Sequence, residues 1–369
     1  MVWTEPLFQL PRPTGPHAVG RTARDWTDAG RPAPSGGRRA LRRLPVWLWY
    51  PASETHARPG PYLPALARLT GLANGVVAGR VRAHAVSDAT PAASGELWPV
   101  VLFAAAQPPL LYTALCAELA SHGYLVAAVG TTAEPRPASL ATGSFPRDLR
   151  ERSRLAATRA GDLRFVLGEL ARAAPDTLRD RFDRDRSAVV GHAIGGAAAA
   201  VASEQGPPVR AGAALDSVLW REPAAAGVEA AFLQAFGAHP EYVLPCDEAV
   251  RRGLTRSAQY CADDRATTVG AWQALHDSAR PGYSVRVRGA AGGSFTDAPM
   301  LPLYRWSPLR RTLSAGGGPT GTEAWRAATD LLLAFLDRHL RAARAPLLDR
   351  LAADGRFEVA PPAVLFAGR

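Results

Sequence analysis

The chain has 369 residues, of which 47% are apolar and 21% charged, with a formal net charge of +10. That balance excludes general disorder and leaves room for one elaborated α/β domain or two small ones. All 43 basic residues are Arg, the usage of a GC-rich genome, and they are scattered beside acids. Even the densest cluster, "GRRALRR" at 37–43, forms no stripe interleaved with aromatic residues, so no nucleic-acid partner is expected.

In chain order, the opening "MVWTEPLFQLPRPTGP" lacks a basic n-region and a continuous apolar core. No secretory signal is read there, and cytoplasmic residence is the expectation. Residues 1–42 read as a lead-in, and the first recognisable strand is "RLPVWLWYP", 43–51. Residues 52–98 mix short apolar stretches with Gly and Pro and read as an excursion or cap-like segment. "WPVVLFAAA", 98–106, is a continuous apolar run of the kind covered on both faces. The helix "LLYTALCAELASHG" follows, stopped by Gly123, and then the strand "YLVAAVGTT".

Residues 155–174 carry apolar side chains at helical spacing, and "RSAVVGHAIGGAAAAVAS" reads as strand, tight turn and Ala-rich helix. "VRAGAALD", "AAFLQAFGA" and "YSVRVRGAAGG" are three further strands, with an insert at 238–270 before the last of them. Residues 323–342 form a closing amphipathic helix. Alternating strands and helices predict a mostly parallel, doubly wound sheet with helices on both faces, here taken as a single domain over 1–369. No apolar run reaches the ~18 residues of a membrane span. Cys116 reads as a core thiol, and no C-x-x-C metal spacing exists, so neither a metal nor a cofactor is expected. Cys246 and Cys261 flank one polar segment; their pairing stays open, with reduced thiols expected.

The turn "GHAIG", 191–195, has the outline of a G-x-S-x-G nucleophile elbow with Ala193 in the serine's place. Together with "LPRPTGPHAVGRTARDWTD", "LPVWLWYPA", "LASHGYLVAAV", "DLRFVLGEL", "AGAALD", "GSFTDAP" and "LLDRLAADGRFEV", it makes the chain resemble the platelet-activating factor acetylhydrolase-like, dienelactone-hydrolase-like serine esterases. The resemblance spans most of the chain and implies the α/β-hydrolase fold. It also implies a nucleophile, a base and an acid, with backbone N–H groups facing the oxyanion.

Carried over by position, the acid is Asp216 in "GAALDSVLW", the former nucleophile position is Ala193, and the former histidine position, three residues before Phe295, is Gly292. The oxyanion loop is altered to Ala104, Ala105 and Ala106 followed by "QPP", and an Asp-His pair is replaced by Gly130 and Thr131. His192 is read as a support for the turn. His122 and His339 are read as structural or exposed, while His239 and His276 have no assigned place. Ser294, Thr296 and Asp297 are expected to cap or brace the loop that follows them. Gln107, the Ile194 N–H, His192, Tyr112 and Trp220 are the candidate substrate contacts.

Without a partner in apolar surroundings, the Asp216 carboxyl is expected to titrate nearer neutrality, as a candidate acid/base. The other reading of Asp216 is a carboxylate that merely holds the turn through loop N–H groups. Three functions follow: a repurposed fold promoting a cyclisation, elimination or rearrangement of an apolar small molecule, in natural-product biosynthesis; a non-catalytic ligand-binding pseudo-hydrolase; or an inactivated variant of a serine esterase.

Overall fold

The computed structural model describes residues 8–32, 41–53, 60, 62, 81–93, 95–105, 108–130, 149–206, 208–217, 227–301 and 321–367. It divides into two compact units: Met1–Gly143 with Phe165–Arg184 and Thr296–Thr312, and Ser144–Arg164 with Asp185–Phe295 and Leu313–Arg369.

The first unit is built on β1 (Ala18–Pro32), β2 (Leu41–Ala52), β3 (Trp98–Ala104), α1 (Thr113–Ser121) and β4 (Leu125–Val129). β3 and β4 are buried at every residue, which is why they read as unbroken apolar runs. They pair in parallel, β4 also pairs antiparallel with β2, and β2 pairs antiparallel with β1. The supposed lead-in thus contains the longest strand of the sheet among the described residues, a correction to the sequence reading. Its alternation is masked because polar side chains face inward, with Arg21, Thr22 and Asp28 all buried. Asp28 is satisfied locally, accepting from the Gly30 N–H and from Arg31.

A brace from the "SFTD" segment closes this unit. The Asp297 carboxylate accepts from the Thr113 N–H at 2.8 Å and the Ala114 N–H at 3.1 Å, the first donors of α1, and from the Tyr62 hydroxyl at 2.8 Å. Burial pushes the carboxyl up to about 8, against the pull of Tyr62 and the two N–H groups. The group it braces is α1, upstream of it, whereas the sequence pointed to the loop that follows it. Tyr112 is fully buried, its ring 4.8 Å from that of Phe103. It is a core aromatic, as its position between β3 and α1 allows, and its role as a substrate contact is withdrawn.

Residues 149–173 form one long helix, α2 (Leu149–Ala173). The second unit then carries β5 (Phe182–His192), α3 (Ile194–Glu204), β6 (Val209–Leu215) and β7 (Ala231–Phe236). The insert follows as α4 (Pro240–Val243), α5 (Cys246–Arg251) and α6 (Ala258–Ser278), and then β8 (Gly282–Val287), α7 (Gly321–Arg341) and β9 (Phe357–Val359). β5, β6, β7 and β8 run parallel in that order, and β9 adds to β8 antiparallel, so β8 is not the last strand. The register aligns His192 with Leu215 and Leu215 with Ala235. The carboxyl ends of three strands therefore meet, the edge where parallel sheets place their sites.

Cys246 and Cys261 form a disulfide that ties α5 to α6. The expectation of reduced thiols is corrected: the polar segment between them folds back far enough to bring the Cα atoms to 5.7 Å, within bonding range. Cys116 is buried and free.

Candidate active site

β5 delivers the chain into a sharp turn before α3. Ala193 sits there at φ 51°, ψ −121°, a backbone state that costs a side-chain-bearing residue of order 1–3 kcal/mol. The turn is possible because Gly191 has no side chain: a Cβ there would lie 2.0 Å from the Gly195 carbonyl oxygen. The elbow is tied in place on both sides. The Ala193 N–H donates to Leu215 O at 3.0 Å, and Ser217 Oγ donates to Ala193 O at 2.7 Å. Trp272 Nε1 in turn donates to Ser217 O at 2.7 Å. Ile194 opens α3, so its N–H is one of the helix donors without an intrahelical acceptor. At the tip itself stands only the methyl of Ala193.

Asp216 follows β6 directly, also at positive φ (47°) and 7% exposed. Its Oδ1 accepts from the Gly237 N–H at 2.6 Å and meets His239 Nε2 at 2.9 Å. His239 is supplied by the loop after β7, and its other ring nitrogen lies 3.0 Å from Glu241 Oε1. The ring is enclosed by Tyr242, Trp272 and Phe366, with centroids 5.7, 5.7 and 6.1 Å away. Burial alone lowers a histidine; here the charge and hydrogen bond of Asp216, with those of Glu241, overcome it and raise His239 to about 10. Burial likewise pushes Asp216 up, but His239, aided by His192 and the Gly237 N–H, holds the carboxyl below the usual carboxylate range.

Asp216 is therefore an ionised carboxylate in a buried ion pair. The expectation of a partnerless acid titrating near neutrality is overturned, because a histidine from a different loop reaches it. His192 lines the same corner. Burial lowers its imidazole despite Asp216 and a hydrogen bond to the Gly292 backbone, and its ring stacks on Phe295 at 6.0 Å. Gly292 faces the other carboxylate oxygen: a Cβ built there would meet Asp216 Oδ2 at 3.0 Å.

His239 is the residue that sequence reasoning missed. The signal available was its place just after "AAFLQAFGA", the strand next to the one ending in Asp216. His276 instead meets Ser284 Oγ at 3.0 Å, and His339 meets the Tyr283 hydroxyl at 3.2 Å. His122 meets Glu118 and Thr14 at the end of α1. Ser294 accepts from the Ala291 N–H at 3.0 Å and Thr296 from the Ala298 N–H at 3.1 Å, local turn braces. Gln107, Trp220 and Thr131 lie outside the described residues. Among the described residues no cluster of His, Cys, Asp or Glu has the makings of a metal site.

A strained strand-elbow-helix after one parallel strand and a carboxylate after the next define a protein of the α/β-hydrolase fold. Residues 5–151 match the family described as "Platelet-activating factor acetylhydrolase, isoform II". Among solved structures the chain is similar to the ferulic acid esterase of Streptomyces cinnamoneus, at 28% identity and a TM-score of 0.73, over 95% of this chain and 99% of that one. No curated protein matches it by sequence. The chain thus has the α/β-hydrolase fold, and its residues 5–151 are similar to the platelet-activating factor acetylhydrolase family. Its family match ends before the elbow, Asp216 and Gly292.

Proposed function

We propose that the chain is a pseudo-hydrolase: an esterase-type fold with a degenerate triad whose former active site binds an apolar small molecule without cleaving esters. The observation that carries this reading is the state of Asp216. An intact triad needs its carboxylate to orient a basic histidine against a nucleophile. Here Oδ1 is committed to a protonated, caged His239, the elbow ends in a methyl, and Gly292 offers no ring to Oδ2. A carboxylate held low by an ion pair is also a poor general acid at neutral pH.

The esterase named among the similar structures acts on an aromatic acid ester, so aryl esters are the first ligands to try. Saturable quenching of tryptophan fluorescence is expected with members of a short-acyl aryl ester panel, weakened at least tenfold in Ala193→Leu, which fills the elbow tip. Absence of saturable binding by every member contradicts the reading.

A second reading, a non-hydrolytic cyclisation, elimination or rearrangement, draws support from the strain kept at Ala193 and the oriented Ile194 N–H, which favour a site acting by orientation. A compound converted by the wild-type chain and not by Asp216→Asn moves the assignment to it. The Cys246–Cys261 disulfide favours an oxidising compartment over the cytoplasm expected from the sequence. Among the described residues no helix is long and apolar enough to cross a membrane.

A further inference from the structure

Gly292 leaves one side of the buried ion pair open. A Cβ built on it meets Asp216 Oδ2 at 3.0 Å and, among the described residues and apart from its chain neighbours, no other heavy atom within 4 Å. The two oxygens of Asp216 are unequally engaged. Oδ1 takes the Gly237 N–H and His239, whereas Oδ2 accepts no hydrogen bond among the described residues. A carboxylate more than nine-tenths buried, with one oxygen that takes no hydrogen bond among the described residues, is a strong acceptor on that side.

The walls narrow the choice of donor. The His192 ring, hydrogen-bonded to the Gly292 backbone, stacks on the Phe295 ring at 26°, so flat rings pack beside this corner, and Ala193 contributes only a methyl. A flat, weakly hydrated ring loses less on leaving water than a compact ammonium does, and its N–H points in the plane, as a carboxylate oxygen requires. Positive charge is not needed, since His239 already neutralises Asp216.

We propose that Gly292 opens a recognition point at Asp216 Oδ2 for an azole-type ring of the ligand, whose N–H donates to that oxygen. The proposal rests on the ligand-binding reading above and names the chemical class that this corner of the site takes.

Imidazole is the probe, and thiazole, a five-membered ring of similar shape without an N–H, is the control. Both are titrated into the full chain while the His192 ring is followed by nitrogen-15 NMR. Imidazole is expected to shift the His192 signals saturably, thiazole to bind at least tenfold more weakly, and Gly292→Ala to abolish the imidazole response. Gly292 is not at positive φ, so its alanine variant carries no backbone strain, and the thiazole comparison needs no variant at all. Equal binding of the two rings, an undiminished response in folded Gly292→Ala, or no saturable response in the wild-type chain overturns the proposal. If imidazole fails while aryl esters bind, the azole assignment falls and the ligand-binding reading stands; if aryl esters fail, that reading falls on its own evidence.

Discussion

His239→Ala is expected to destabilise the chain by about 3–5 kcal/mol, the scale set by stranding one partner of a buried ion pair. The loss arises because Asp216 is nearly inaccessible and keeps only the Gly237 N–H once the imidazolium is gone. The pH dependence gives the sign. His239 titrates at about 10 when folded, against about 6.5 when unfolded. Its contribution is full below 6.5 and is lost as the pH climbs through 10. Asp216 is lowered, so its contribution is present above its unfolded value and is lost as the pH falls through the folded one. The two shifts describe one ion pair and count once. Urea unfolding of the wild-type chain should show the free energy falling between pH 6.5 and 10, and His239→Ala should lack the part of that fall between about 8 and 10, where Asp297 no longer contributes. A loss below about 1 kcal/mol would mean that the charges are not paired in solution.

The second large effect is expected from Asp297→Ala. The substitution strands the Tyr62 hydroxyl and the Thr113 and Ala114 N–H groups, all in buried surroundings. At about 1–3 kcal/mol for each stranded donor, partly relieved by relaxation, a loss of about 3–5 kcal/mol follows. Asp297→Asn keeps one acceptor oxygen, enough for the Thr113 N–H and the Tyr62 hydroxyl but not for the Ala114 N–H as well, and should cost less than the Ala variant. Because the folded carboxyl is raised to about 8, the folded chain holds that proton more tightly than the unfolded one. Stability therefore declines as the pH rises from about 4 through about 8, and the Asn variant should remove this component. Thermal unfolding of the variants across that range checks both points; an Ala variant as stable as the wild type would remove Asp297 from the brace.

How far the sequence was legible follows from what each residue has to satisfy. β3 and β4 read directly because burial on both faces leaves no polar position to disguise them, and β6 does so beyond its exposed Arg210. The elbow read directly too, since Gly191 and the small residues after it are sterically required. β1 did not, because its inward Arg21 and Asp28 break the apolar alternation; Arg21 reaches the Tyr62 carbonyl, 41 residues away, while Asp28 is satisfied locally. Asp216 stands directly after β6, and its chemistry was misread. A carboxyl's charge state depends on which loops converge on it, and His239 lies 23 residues away in the chain. The disulfide was obscured in the same way: its 15-residue separation is closed by the packing of α5 on α6.

The central claim is that this esterase-type fold no longer performs serine-esterase chemistry. The measurement that tests it most directly is turnover of short-acyl aryl esters by the purified wild-type chain against its heat-denatured control. With Ala193 at the elbow and Gly292 opposite Asp216, the expected result is no difference between the two. Turnover that appears only with the folded chain would reveal another nucleophile or an activated water, and would contradict the account.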